Sequence, residues 1–135
     1  MEVHNLPVPE LRAYAQALPY LGYLLGVTQM STLIAREGCC PIRVPIPERF
    51  ALHKLVVSQI RTNLSAKSHK DILQASAIID ALGLSFPGAI ESAFEALPMS
   101  THSYVVKALP AVERILGNES RGLEELMEIA SRRHR

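Results

Sequence analysis

Charged residues on two neighbouring helical stretches are the part of this sequence that could do chemistry. Lys54 and Arg61 fall together on one predicted helix, and Lys67, Lys70 and Asp71 cluster on the next. If these helices pack antiparallel, the four cations can converge on one anion, for which a triphosphate is suited. In the alternative interpretation, Lys67 and Lys70 are solvated, and Asp71 pairs with Arg61 or Lys54 to tie the helices together.

Other catalytic patterns are absent from the sequence. It contains no P-loop, no dinucleotide-binding glycine fingerprint, no Gly-x-Ser-x-Gly elbow and no His-Glu-x-x-His pair. The five histidines are dispersed, and a role for His69 as a base beside Arg61 fits no common nuclease pattern, so a surface position is favoured.

Cys39 and Cys40 are adjacent, which strains a disulfide and matches no common zinc pattern, so we expect small buried or half-buried strand residues.

The composition is that of one packed domain. The chain has 135 residues, of which 48% are hydrophobic and 20% charged, whereas disordered chains are less apolar and more charged. A net charge of +1 gives no global field for nucleic acid or a membrane. The longest apolar run, 17–27, is shorter than the ~20 residues of a membrane span, and the start lacks a signal-peptide pattern. We therefore expect a cytoplasmic protein with neither membrane nor nucleic acid as a partner.

Residues 1–46 are predicted to form a short helical segment and one β-hairpin. Apolar residues at helical spacing predict a helix over 9–17, and the pattern resumes after Pro19 for a further turn or two that Gly26 closes. Two β-prone runs around the pair Glu37-Gly38 then predict the hairpin.

The second strand of this hairpin contains two prolines, Pro41 and Pro45. Proline has no backbone N–H to donate to a ladder. The strand is therefore predicted to lie at a sheet edge, or to have its donors facing outward at those positions.

Residues 47–135 are predicted to form a bundle of about five helices. Capping residues, prolines and glycines place them at 47–61, from 63 or 65 to 82 with a stop at Gly83, at 87–97, from 100 or 101 to 116 through Pro110, and at 119–131. Their predicted apolar stripes are Leu52, Val56 and Ile60; Ile72, Ala75, Ile79 and Leu82; Ile90, Phe94 and Leu97; and Leu123, Leu126, Met127 and Ala130. The predicted fold class is α+β, mainly α, in one compact domain.

The amino-acid sequence of the central helices resembles that of a bacterial nucleotidyltransferase-fold family within the polymerase-β-like superfamily. The resemblance lies in the run Pro47–Gln59 and in Lys67 and Lys70–Ala75, and it extends upstream through residues 18–25 and the hairpin. More loosely, the sequence is similar to the nucleotidyltransferase-like toxins of abortive-infection systems. The resemblance to the family covers roughly residues 18–82 of this chain.

This resemblance implies a nucleotide pocket wall. In such proteins a mixed sheet carries the catalytic acids, and a helix with a lysine followed by a basic-Asp helix covers the nucleotide. Lys54 would then contact phosphate, Lys70 and Asp71 would line the same wall, and the implied ligand is a nucleoside triphosphate with Mg²⁺. Arg49 and His53 also match the family's sequence pattern, but the resemblance implies no specific role for them.

The catalytic acids of such a family are missing from this chain. Nucleotidyl transfer of this type needs metal ions held by paired carboxylates, which the family supplies through a Gly-Ser turn and an Asp-x-Asp or Asp-x-Glu strand. The sequence has no Gly-Ser pair and no two acids separated by one residue, and Glu124, Glu125 and Glu128 are predicted to form a solvated helix face. We therefore expect the C-terminal half of such a protein, whether truncated, split or degenerate, with Mg²⁺ held mainly by residues outside this chain. Alone it should bind nucleotide phosphates or complete a catalytic partner chain without catalysing.

The alternative is a non-enzymatic helical module for protein–protein interaction or dimerisation. It would dock a homodimer partner or another chain through the hairpin edge and an exposed apolar helix face. An uncovered apolar sheet face would favour this interpretation, because soluble monomers seldom expose one.

Overall fold

The computed structural model describes residues 5–16, 18–61 and 65–132. The strands are β1 (Asn5–Val8), β2 (Ala13–Gln16), β3 (Thr28–Ala35) and β4 (Gly38–Pro45). The helices are α1 (Leu21–Leu25), α2 (Pro47–Ile60), α3 (Ser65–Ser85), α4 (Ala89–Glu95), α5 (His102–Leu116) and α6 (Arg121–Arg132), with short 3-10 turns at Pro9–Leu11 and Met99–Thr101. The architecture is α+β and mainly α, as predicted.

The predicted helix over 9–17 is wrong. β1 and β2 pair antiparallel across the 3-10 turn, with Val8 opposite Ala13. Leu11 and Tyr14, which supplied the apolar spacing, are exposed. A short helix gains most of its stability from an apolar face packed on a core, and here these side chains have none to pack on.

The one hairpin that the sequence predicted is confirmed, as the second along the chain. β3 and β4 pair antiparallel from Thr28 opposite Pro45 to Ala35 opposite Gly38, and the two turn residues are Arg36 and Glu37. Gly38 begins β4 with a φ of +142°, a conformation that favours glycine. Each strand has only the other as a strand partner among the described residues.

The expectation that Cys39 and Cys40 are buried or half-buried is wrong, although both lie on a strand. Both cysteines are free and exposed. The hairpin contacts α1 through β4, and on that strand only Ile42, Val44 and Pro45 are half-buried. Residues 33–35 and 38–41, at the turn end of the hairpin where the cysteines lie, are all exposed.

One hydrophobic cluster joins α1 to the five longer helices. Helix α2 lies at its centre and contacts α1, α3, α4 and α5. The predicted apolar stripes confirmed as buried include Leu52, Val56, Ile79 and Phe94, whereas Met127 is exposed and Ile129 takes the inward position on α6. Within the described residues, no helix combines the length and hydropathy needed to cross a membrane.

Helical spacing puts a third polar residue, Ser58, on the side of α2 that carries Lys54 and Arg61, and the structure buries it. Ser58, placed on that face with Lys54 and Arg61, is 5% exposed, and its hydroxyl donates to the Leu55 carbonyl at 2.6 Å. A helix packed on several sides buries most of its circumference, and Lys54 on this side of α2 pairs with Asp71 of α3.

The predicted stop at Gly83 is also wrong, because α3 continues to Ser85. A β-carbon on Gly83 would overlap the Gly122 backbone nitrogen, and one on Gly122 would overlap the Ile79 carbonyl oxygen. The two glycines therefore let α3 and α6 cross with their backbones in close contact. Gly83 serves packing between helices, not termination of one.

Replacing Gly122 by alanine tests this crossing. The added methyl group must push α6 away from the α3 backbone, and we expect a loss of about 3 kcal/mol in the free energy of unfolding, measured by urea denaturation. Gly22→Ala is the matched control, because nothing lies within 4 Å of a β-carbon there. Equal, small effects of the two substitutions would contradict the close crossing.

Candidate functional site

Asp71 joins α2 and α3 at the centre of the predicted site. Its Oδ1 accepts from Lys54 Nζ at 2.7 Å, and its Oδ2 accepts from Arg61 Nη1 at 2.9 Å. The Asp71 side chain is 5% exposed, whereas those of Lys54 and Arg61 are 23% and 21% exposed. The pairing that ties the helices together is therefore present, and it uses both candidate cations of α2.

The other two candidate cations remain on the surface of α3. Lys67 and Lys70 are exposed, and neither forms an ion pair with a described residue. Lys67 lies four residues before Asp71, which is the spacing that places two residues on one helix face. The structure thus brings Lys54, Arg61 and Asp71 together, with Lys67 one turn away along α3.

The charge balance of this cluster is positive. Two cations share one carboxylate, so the three-residue group has a net charge of +1, and Lys67 raises it. The side chains of Lys54 and Arg61 are not fully buried. Lysine has three donors and arginine five, so one bond each to Asp71 leaves donors free for another acceptor.

Arg49 and His53, which the sequence left without a role, fasten the segment before β3 to α2. Arg49 Nη1 donates to the Tyr23 carbonyl at 2.9 Å, and its guanidinium carbon lies 5.1 Å from the Tyr23 ring centroid. His53 Nε2 donates to the Pro19 carbonyl at 2.9 Å. The two residues are four apart on α2 and so lie on one face of it, but their partners are backbone carbonyls that no sequence pattern identifies.

Tyr23 extends the same anchor to α4. Its hydroxyl donates to the Ala93 carbonyl at 2.9 Å, and the side chain belongs to the main hydrophobic cluster. Burial raises the pKa of the Tyr23 phenol above its ordinary value, with the nearby Arg49 cation acting against this effect. Tyr23 is thus a neutral hydrogen-bond donor that holds α1 between α2 and α4.

His53 is buried in its neutral form. Burial is the main cause that lowers its pKa below the ordinary 6.5, and the nearby Lys54 and Arg61 cations lower it further, while Asp71 and the Pro19 carbonyl oppose them. Since Nε2 donates to Pro19, the neutral ring leaves Nδ1 as an acceptor, and that atom has no partner among the described residues. Protonation would therefore add a charge and an unpaired donor to a buried position.

The acids of residues 5–16, 18–61 and 65–132 do not form the two-metal centre of nucleotidyl transfer. In the described part of the chain, no group of three or more His, Cys, Asp or Glu residues is placed to hold a metal ion. Asp71, the one acid of the cluster, has an oxygen committed to each of its two cations. Glu124 and Glu128 are exposed on α6, as predicted, while Glu125 is half-buried and accepts from the Glu91 N–H at 3.2 Å.

A comparison with known families identifies the chain. The model of the nucleotidyltransferase family matches residues 2–98, which is well over half of the 135 residues, so the chain belongs to this family. The matched region contains both hairpins, the α1 anchor and the helices α2 and α3 that carry the charged cluster. Searches of curated proteins and of solved structures gave no match.

Asp71→Asn tests the tie between α2 and α3. It removes the charge that neutralises two cations whose side chains are about a fifth exposed, and we expect a loss of about 2 kcal/mol in the free energy of unfolding. Glu128→Gln is the control, because it removes an ion pair to Arg132 in which both side chains are more than half exposed, and should cost less than about 0.5 kcal/mol. Urea denaturation of both variants would refute the tie if their losses were equal.

The lowered pKa of His53 predicts acid sensitivity. Below about pH 6.5 the unfolded chain binds a proton at His53 that the folded chain does not, so stability is lost as pH falls, by up to about 1.4 kcal/mol per pH unit. In His53→Gln, whose side-chain amide can still donate to Pro19, this part of the pH dependence should vanish. The measurement is urea denaturation between about pH 7 and pH 5, with exposed His69→Gln as a control that keeps the wild-type slope.

Proposed function

We propose that this chain is the helical part of a nucleotidyltransferase, and that it holds nucleotide phosphates with the side chains of Lys54, Arg61, Lys67 and Lys70. The observation that carries the proposal is the arrangement of Lys54 and Arg61 on one buried carboxylate. Both cations are fixed in place by Asp71, yet about a fifth of each side chain remains exposed. Membership of the nucleotidyltransferase family supports a nucleoside triphosphate as the ligand.

Asp71 has a positioning role in this proposal. A free lysine or arginine loses side-chain entropy when it binds an anion, and a cation already held by a carboxylate has lost much of it beforehand. The cluster keeps a positive balance after the Asp71 pairings, and exposed Lys67 and Lys70 add charge that attracts a polyphosphate. Phosphate oxygens would then accept from donors of Lys54 and Arg61 that Asp71 does not use.

The catalytic carboxylates belong, in this proposal, to another polypeptide segment. The chain has no two acids separated by one residue and no Gly-Ser pair, whether it is a truncated, split or degenerate member of the family. Mg²⁺ would arrive with the nucleotide and be held mainly by those other carboxylates, so the chain alone would bind without catalysing. A bacterial origin and a cytoplasmic location are further parts of the proposal.

Thermal melting with and without Mg-ATP and Mg-CTP tests nucleotide binding. A ligand that binds only the folded chain stabilises it, by about 2.7 kcal/mol at a hundredfold excess over Kd. We expect this ligand-dependent shift in the wild type and its loss in Lys54→Ala and in the double variant Lys67→Ala/Lys70→Ala. The double variant changes only exposed side chains, so its own stability should stay near that of the wild type.

Lys107→Ala is the matched control for these lysine substitutions. Lys107 is exposed on α5, where its ammonium lies 5.7 Å from the Tyr104 ring, and it is not part of the cluster. The control should keep the full shift. A shift that survives in both cluster variants would refute the assigned residues, and no shift in the folded wild type would refute nucleotide binding by this chain alone.

A further inference from the structure

The hairpin of β3 and β4 is largely exposed. All of β3 after Thr28 is exposed, including three large apolar residues, Met30, Leu33 and Ile34, of which Ile34 is 79% exposed. The two strands form a sheet of their own with a free edge on each side among the described residues. An isolated two-stranded ribbon has little independent stability in water, which raises the question of what covers it.

The hydrogen-bond pattern identifies which backbone groups face outward. The Ile46 N–H donates to the Val27 carbonyl at 3.4 Å, and these residues are opposite each other in the register that pairs Thr28 with Pro45. Because hydrogen-bonded and non-hydrogen-bonded pairs alternate along an antiparallel ladder, Thr28 and every second residue after it direct their backbone groups away from β4. The outward residues of β3 are Thr28, Met30, Thr32 and Ile34, and those of β4 are Cys39, Pro41, Arg43 and Pro45.

The two free edges differ in their capacity to pair. On the β4 edge, two of the four outward positions are prolines without an N–H, and a third is the charged Arg43. Prolines and charges are the features with which natural sheets prevent edge-to-edge association. The β3 edge has neither, since the segment Thr28–Ala35 contains no charged residue and no proline. One edge is protected and the other is open.

We propose that the open edge of β3 pairs antiparallel with β3 of a second copy of this chain, which forms a four-stranded sheet across a two-fold axis. The uncharged sequence of β3 makes it compatible with itself, because self-pairing sets no like charges opposite each other. Both outer edges of the new sheet are then the protected β4 edges. The assembly therefore closes as a dimer and does not extend into a fibre.

The side chains favour the same arrangement. The outward-facing residues of β3 all have even numbers, so hydrogen-bonded pairing joins even positions of one copy to even positions of the other. Met30, Thr32 and Ile34 then lie on one face beside their counterparts in the second copy. Apolar and β-branched cross-strand neighbours of this kind stabilise a sheet, and they would cover side chains that are exposed in the single chain.

This inference does not rest on nucleotide binding. Strand pairing uses the edge of the hairpin, whereas the cluster of Lys54, Arg61 and Asp71 lies between α2 and α3. The two proposals therefore fail separately. Loss of dimerisation should leave a ligand-dependent melting shift in place, and loss of that shift should leave the oligomeric state unchanged.

Light scattering coupled to size-exclusion chromatography, over a range of protein concentrations, is the test. We expect a wild-type mass near twice the 14.9 kDa of one chain. Thr32→Pro removes an outward donor at the centre of the β3 edge without removing a bond to β4, and should give a monomer. Arg43→Pro makes the same kind of change on the β4 edge and should leave the dimer intact, which makes it the matched control.

Thr32→Lys guards against a loss of folding in the proline variant. It keeps the backbone N–H but sets two like charges close together at the dimer axis, so it should also give a monomer, with an unchanged far-UV circular dichroism spectrum. A wild type that stays monomeric at all concentrations would overturn the proposal and leave the β3 edge for a strand of another polypeptide. A dimer that survives in Thr32→Lys and in folded Thr32→Pro would place the interface elsewhere and overturn it as well.

Discussion

The pairing of Asp71 with Lys54 and Arg61 is the constraint on which the arrangement of the central helices depends. A carboxylate that is only 5% exposed is costly unless it is paired and hydrogen-bonded, and each of its oxygens has a cation within 3 Å. Two of these charges lie on α2 and its end, and the third lies on α3. The hydrophobic stripes bring the helices together, and the charges select one relative position among those that the stripes alone would allow.

A second set of contacts fixes the backbone before the β3–β4 hairpin to α2. Arg49 and His53 bind backbone carbonyls of the segment that precedes β3, and Tyr23 reaches across to α4. The backbone before the hairpin is thus fixed to the same helix that provides Lys54. This anchor therefore fixes the position of the exposed sheet relative to the charged cluster.

The sequence predicted which helices carry the candidate site residues, but not how those residues pair. Helical spacing and charge placed Lys54, Arg61 and Asp71 on neighbouring helices, and the structure brings these three together. The sequence left two interpretations of them open, convergence on an anion or an internal ion pair, because the burial of Asp71 depends on how α2 and α3 pack together. Arg49 and His53 had no predicted role, since their partners are backbone carbonyls that no side-chain pattern reveals.

Short-range sequence patterns alone were enough to predict the β3–β4 hairpin and the long helices. Proline and glycine positions gave the hairpin, its protected strand and the start of α2, and helical periodicity gave the long helices of the bundle. The absence of an acid pair is likewise a property of the sequence itself. Only the tertiary structure decided the hairpin at 5–16, the burial of Ser58 and the continuation of α3 through Gly83, because each depends on what lies next to the segment. Leu11 and Tyr14 found no core, α2 was enclosed by its neighbours, and Gly83 met the backbone of Gly122.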